Sequence, residues 1–173
     1  MGRDLVWTED ALRRLRKMPE QKPGRSKQDY STDPAFIAAV VKRFGKLDFD
    51  LAAHDDGSNA QASRWFGPST DSLKQDWSKL RGTLWLNPPF GRIEPWAKKC
   101  AETKLLFARI LFLVPAAVGS NWYAKCVHEK ALVFFLNGRL CFDGKNGYPK
   151  DCLLSLYDGP CRTPKSPEVW RWK

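Results

Sequence analysis

An amide, two prolines and an aromatic ring follow one another at Asn87-Pro88-Pro89-Phe90, and no other stretch of the sequence is as well suited to chemistry. The prolines fix φ and supply no N–H, so the Asn87 amide oxygen and the Pro88 carbonyl can both be aimed outward at one donor. The matching donor is a planar amine with two hydrogens, and adenine N6 is such a group. Its lone pair is delocalised into the ring, which makes it a poor nucleophile. Two acceptors holding its hydrogens favour a more tetrahedral nitrogen with a more available lone pair, which is electrostatic preorganisation. Phe90 would stack on the face of a base flipped out of its duplex, as chemistry on a base atom requires. The same residues also make an ordinary turn, and a phenylalanine is more often core than ligand. The elements around the motif and a second, cofactor-binding site therefore have to carry part of the argument.

Thr83-Leu84-Trp85-Leu86 is an apolar strand that ends at the motif, and in open α/β sheets ligands bind outside the carboxyl ends of strands. Upstream, Ser31-Thr32-Asp33-Pro34 signals a helix start. Phe36, Ile37, Val40, Val41 and Phe44 form one apolar face before Gly45 ends that helix. Residues 47–53 read as a short strand running into a loop rich in Asp, Gly, Ser and Asn, and Trp65–Leu80 as mixed turns. Pro95–Phe107 reads as a helix, and Ile110–Val114 as a strand buried on both faces. Asn121–Val127 is a short helix; residues 131–136, 140–142 and 153–157 are strand candidates, with Asn137-Gly138 a hairpin signal between the first two. Thr8–Met18 has the cap and spacing of a short basic helix, and Pro19–Asp29 the composition of a flexible arm.

With 173 residues, 43% of them hydrophobic and including 8 Trp and 10 Phe, the chain has material for one packed domain. Lys and Arg number 29 against 19 Asp and Glu, a formal charge of +10 that attracts polyanions. Nucleic acid is the leading partner, through Arg13, Arg14, Arg16 and Lys17 and basic loops such as Lys145 to Lys150, all of which would equally serve as solvated surface. The five cysteines are odd in number, contain no CxxC pair and are not grouped with His54 or His128, so no metal site is expected. No apolar run approaches the roughly 20 residues that span a bilayer, and the N-terminus lacks a signal-type apolar stretch. A cytoplasmic protein of a bacterial or phage-infected cell, with thiols reduced, no membrane partner and an oligomeric state the sequence leaves open, is the expectation.

Five segments in order, from Tyr30 to Tyr157, resemble the phage-type DNA N6-adenine methyltransferase family. They are Thr32 to Phe36, similar to a Thr-Pro helix start; Phe49-Asp50-Leu51-Ala52-Ala53, similar to an Asp-x-Ala-Ala motif; Asp76-Trp77; Trp85 to Phe90, which contains the Asn-Pro-Pro-aromatic motif of amino-methyltransferases; and Leu113 to Ala116. The sequence has Thr-Asp-Pro where the family usually has Thr-Pro, Phe90 where Tyr is more frequent, and no glycine-rich first motif. The resemblance implies an α/β chain with a single abbreviated Rossmann-like methyltransferase fold, its central sheet mostly parallel and flanked by helices. The short span from Asp50 to Asn87 requires the abbreviation, and no separate target-recognition domain is expected.

The resemblance also implies S-adenosylmethionine as methyl donor and double-stranded DNA as substrate. Asn87, Pro88, Pro89 and Phe90 would hold the target adenine. Asp50, Ala52 and Ala53 would line the methionine end of the cofactor, Asp76 and Trp77 would serve its adenosine, and Thr32 and Pro34 would contact its carboxylate at the helix start. The methyl group would pass directly in line to N6 with neither covalent enzyme intermediate nor metal. The expected division is a basic arm at 1–29, a methyltransferase domain at 30–158, and a Pro- and Trp-containing tail at 159–173. RNA, cytosine N4 or a protein glutamine amide remain alternative acceptors, and a noncatalytic DNA-binding module of the same fold is the alternative of another class. By analogy alone, the purpose would be protection of phage or prophage DNA.

Overall fold

The computed structural model describes residues 31–142, 147–159 and 167–173, and every count below is made among them. Three helices, α1 (Pro34–Phe44), α2 (Glu94–Glu102) and α3 (Asn121–Cys126), flank one sheet of six strands. The strands are β1 (Phe49–Asp50), β2 (Gly82–Leu86), β3 (Ala108–Pro115), β4 (Leu132–Asn137), β5 (Cys152–Tyr157) and β6 (Glu168–Arg171), ordered β1-β2-β3-β5-β4-β6 across the sheet. Alternation along the strands divides the core between the two faces. Leu84, Leu86, Ile110, Phe112 and Val114 pack on one face with α2 and α3 residues such as Ala97, Cys100 and Tyr123. Trp85, Leu111, Leu113, Phe134 and Leu154 pack on the other with Phe36, Val40 and Phe44 of α1.

The sheet is mixed, which corrects the expectation of a mostly parallel one. β1–β2, β2–β3 and β4–β6 pair in parallel, while β5 runs antiparallel to both β3 and β4. A parallel return needs a crossover, usually helical, whereas β4 and β5 are joined without a helix among the described residues, so the chain reverses. The hairpin expected at Asn137-Gly138 does not form: Asn137 is the last residue of β4, paired with Arg171, the chain bends at Gly138 with φ 112°, and residues 140–142 do not return as a strand beside β4. Cys141 makes an isolated bridge to Gly147, and β4 takes β5 and β6 as neighbours.

Helix α2 stops at Glu102, short of the expected Phe107, because the Thr103 hydroxyl and N–H both donate to the Lys99 carbonyl and close the last turn. β1 is shorter than the expected strand over 47–53 because residues 51–53 leave the sheet to form a loop. Trp65 bridges the outer side of β1, so this edge of the sheet is covered. Helix α1 agrees with its sequence signals: Pro34 occupies the first turn, the Asp33 carboxylate accepts from Ala35 N–H at 2.9 Å, and Gly45 follows the helix at φ 82°.

Within segment 159–173, β6 completes the sheet. Trp170 and Trp172 are both buried, and their rings lie 5.6 and 5.1 Å from that of Phe36. Arg43 pairs with Glu168 at 2.7 Å and lies over the rings of Phe134 and Trp170 at 4.5 and 5.1 Å. The helix expected at Thr8–Met18 and the arm at Pro19–Asp29 lie outside the described residues.

Candidate active site

An open cleft of about 320 Å³ lies outside the carboxyl ends of β1 and β2, within the size range of small-molecule sites. Its floor comes from the two segments that leave those strands, Leu51-Ala52-Ala53 and Asn87-Pro88-Pro89-Phe90. The walls are largely apolar and aromatic. Phe66 and Trp96 belong to one side, and Phe142 and Tyr148 complete the other with Phe90.

Asn87 follows directly on β2, and its side-chain amide is already held at one end. Nδ2 donates to the Thr32 hydroxyl at 3.0 Å, which leaves Oδ1 available as an acceptor. Phe90 opens a 3-10 turn (Phe90–Arg92) and meets the rings of Phe142 and Tyr148, both at 5.6 Å; those two are 5.3 Å apart. Three rings in mutual tilted or edge contact form a stiff apolar wall beside an amide oxygen. Such a wall suits a flat heteroaromatic ring carrying an amine.

Asp50 braces the loop that forms the opposite part of the floor. Its carboxylate is 2% exposed and accepts from Ala52 N–H at 3.0 Å and Gln61 N–H at 2.9 Å. Its backbone donates to the Arg64 carbonyl and accepts from Phe66 N–H, which ties both limbs of the loop to β1. Burial pushes the carboxyl up to about 6, against the two amide hydrogen bonds that pull it down. Ala52 and Ala53 line the cleft, and the Asp50 side chain stands behind them. The neighbouring His54 backbone N–H donates to Asn59 Oδ1 at 2.7 Å, another tie within the same loop.

Asp71 and Ser72 supply polar groups to the far wall. Asp71 is a non-glycine residue at φ 46°, a left-handed conformation that persists only where the surroundings fix it. They do so here: the buried Trp77 ring N–H donates to the Ser72 carbonyl at 3.0 Å, and the Lys99 ammonium to the Leu73 carbonyl at 2.7 Å. Ser72 is 4% exposed and its hydroxyl has no protein partner. That hydroxyl is itself closed off from solvent, so the Asp71 carboxylate is the polar side chain this wall presents, and it suits a ligand that carries hydroxyl or ammonium groups beside a ring.

Asn87, Pro88, Pro89, Phe90, Ala52 and Ala53 are thus brought together around one cleft. Asp76 is exposed and caps its own 3-10 turn through Ser78, and Trp77 is buried against Trp96, 6.3 Å away, as a brace behind the wall. Thr32 is buried behind Asn87, and Pro34 is exposed in the first turn of α1. Lys150 is exposed two residues beyond Tyr148, while Arg13, Arg14, Arg16, Lys17 and Lys145 lie outside the described residues. Sequence reasoning did not find Asp71, Ser72, Phe142 or Tyr148. The last two flank the glycine-containing sequence Asp143 to Gly147, and that was their one signal; the first two lie in a stretch with no periodicity to read.

Three of the described cysteines, Cys100, Cys126 and Cys152, are buried, which disfavours their thiolates. Burial pushes the Cys100 thiol well above its ordinary value and that of Cys152 to about 12. Among the described residues no three His, Cys, Asp or Glu side chains are grouped to hold a metal ion, and no helix is long and apolar enough to cross a membrane.

Comparison with known proteins adds two findings. Residues 20–151 match the sequence model of a family described as DNA N-6-adenine-methyltransferase (Dam). A protein of Escherichia phage T1, described as DNA N-6-adenine-methyltransferase, is 29% identical over 131 residues, which cover 75% of this chain and 54% of that protein. The chain therefore spans about half the length of the curated relative it matches.

Proposed function

The chain belongs to the DNA N-6-adenine-methyltransferase (Dam) family, and from that premise we propose that it transfers a methyl group from S-adenosylmethionine to N6 of an adenine flipped out of double-stranded DNA. The observation that carries this reading is the position of Asn87-Pro88-Pro89-Phe90 at the carboxyl end of β2, opening on a cleft that Ala52 and Ala53 share.

Asn87 Oδ1 and the Pro88 carbonyl accept from the two N6 hydrogens, and Pro89 fixes the turn that presents them. Phe90 stacks on the base, with Phe142 and Tyr148 closing the wall behind it. S-adenosylmethionine, when bound, supplies the methyl group on a sulfonium, a good leaving group for in-line displacement. Ala52 and Ala53 admit its methionine end closely, and Asp50 keeps their loop in place from behind. Asp71 offers hydrogen bonds to its polar groups, on a wall that Trp77 braces through the Ser72 carbonyl, while Asp76 caps the turn that carries Trp77. Pro34 contributes to this region only by starting α1. Lys150 and the basic residues 13, 14, 16, 17 and 145 contact backbone phosphates.

The parallel half of the sheet, β1-β2-β3, with the cleft at its carboxyl ends, supports an abbreviated Rossmann-like methyltransferase domain over 30–158. The work would take place in the cytoplasm of a bacterial or phage-infected cell.

The test is incubation of the protein with labelled S-adenosylmethionine and unmethylated duplex DNA, beside Asn87→Ala, with the modified nucleoside identified by mass spectrometry. N6-methyladenine is expected from the wild type, and a loss of roughly a hundredfold or more in rate from the variant, with cofactor still bound. Cofactor binding without transfer to DNA would move the acceptor to RNA or a protein amide. Absence of cofactor binding would leave a DNA-binding module.

A further inference from the structure

We infer that Thr32 is a positioning residue for Asn87: its hydroxyl anchors the inner end of the Asn87 amide so that the outer end is held at the cleft, and its place at the start of helix α1 sets where that hydroxyl lies. The inference rests on the proposed reading of the site and assigns Thr32 to the amide rather than to the cofactor.

A carboxamide, unlike a carboxylate, has a wrong way round. With Oδ1 toward the cleft, Asn87 accepts from an incoming amine; turned by 180° it would present its own NH2 to that amine, donor against donor. In this structure the productive end faces the cleft; a hydroxyl can both accept and donate, so what Thr32 secures is the place of the amide before the substrate arrives. Nδ2 lies 3.0 Å from the Thr32 hydroxyl oxygen, so the acceptor it needs is already present. Thr32 is 3% exposed and is not among the residues lining the cleft, so it reaches Asn87 from behind.

The backbone that carries the hydroxyl is itself held. Thr32 precedes Asp33, the N-cap of α1, and the first turn of that helix is closed by the Asp33 carboxylate on Ala35 N–H and by Ile37 N–H on the Asp33 carbonyl. One turn on, Phe36 is fully buried with its ring 6.4 Å from that of Trp85, two residues before Asn87 on β2. Helix and strand are thus joined at two points, Phe36 on Trp85 and Thr32 on Asn87. That arrangement fixes the register of the amide against the hydroxyl.

The experiment compares Thr32→Val, which keeps the shape and removes the acceptor, with Thr32→Ser, which keeps the hydroxyl. kcat is measured at saturating DNA and S-adenosylmethionine, and the Kd for S-adenosylhomocysteine by calorimetry. Thr32→Val is expected to lower kcat on the order of tenfold or more and to leave the Kd unchanged, while Thr32→Ser retains most of the wild-type kcat. A weakened Kd with kcat unchanged in Thr32→Val would place the hydroxyl on the cofactor and overturn the inference. Equal losses of kcat in both variants would overturn it too, because the hydroxyl would then not be the determinant. A wild type that binds S-adenosylhomocysteine and transfers no methyl group to DNA would instead defeat the reading of function on which the inference stands.

Discussion

At Asp50 a carboxylate that water scarcely reaches holds two backbone amides, and its folded value near 6 lies above the ordinary 3.8. A carboxyl raised in this way favours folding while it is protonated. Its contribution is fully present below about pH 4 and is lost as pH rises through about 6, where the buried group ionises. The loss is on the order of 1–3 kcal/mol. Exposed Asp55, Asp56 and Asp76 are shifted the other way by serine hydrogen bonds, so their contributions are lost as pH falls instead. The expected signature is therefore a difference: urea titrations between pH 4 and 7 should show a falling component in wild type that Asp50→Asn lacks. A parallel pH dependence in the two proteins would mean that Asp50 titrates as an ordinary carboxyl. At this scale the sequence was most legible where chemistry restricts residue type, as in Asn87-Pro88-Pro89-Phe90. It was least legible where a role depends on contact at a distance. Thr32 and Asn87 are 55 positions apart, and nothing in either local pattern announces their hydrogen bond.

Helix α1 was readable in full, from the Asp33 cap to Gly45, because its signals are local and the buried face repeats at helical spacing. What it packs against was not readable. Phe36 sits among Trp85, Trp170 and Trp172, so Phe36→Ala should cost roughly 3–5 kcal/mol in chemical denaturation. A cost below about 1 kcal/mol would show that the site had collapsed around the smaller side chain. β3 was likewise plain, an apolar run buried on both faces. The hairpin expected between 131–136 and 140–142 failed for a physical reason. The chain only bends at Gly138, Asn137 staying in β4, and Leu140 and Phe142 find their burial in the aromatic cluster around Phe90 and Tyr148, with no need of a strand partner. Turn chemistry fixes where a chain bends; the choice of neighbour belongs to the core.

Over the whole molecule, the +10 charge is a statement about encounter with a polyanion and says little about fold. DNA affinity should fall steeply with salt, and Lys150→Ala should reduce the slope of log K against log salt by about 1 if that lysine meets a phosphate. An unchanged slope would return Lys150 to the solvated surface. The strand order explains why topology escaped the sequence: β5 inserts between β3 and β4, and β6 joins β4 from the far side, choices that depend on contacts between distant segments. The same order governs how the molecule assembles. Arg43 of α1 and Glu168 of β6 are separated by 125 positions, and the bond between them closes nearly the whole described chain into a loop. Loop-closure entropy must be met before such contacts stabilise anything, so folds rich in them form slowly. The same closure brings α1, and with it Thr32 behind Asn87, against β6, so a strand remote in sequence supports the backing of the cleft. A change confined to β6, none of whose residues lines the cleft, would therefore be felt at the Asn87 amide.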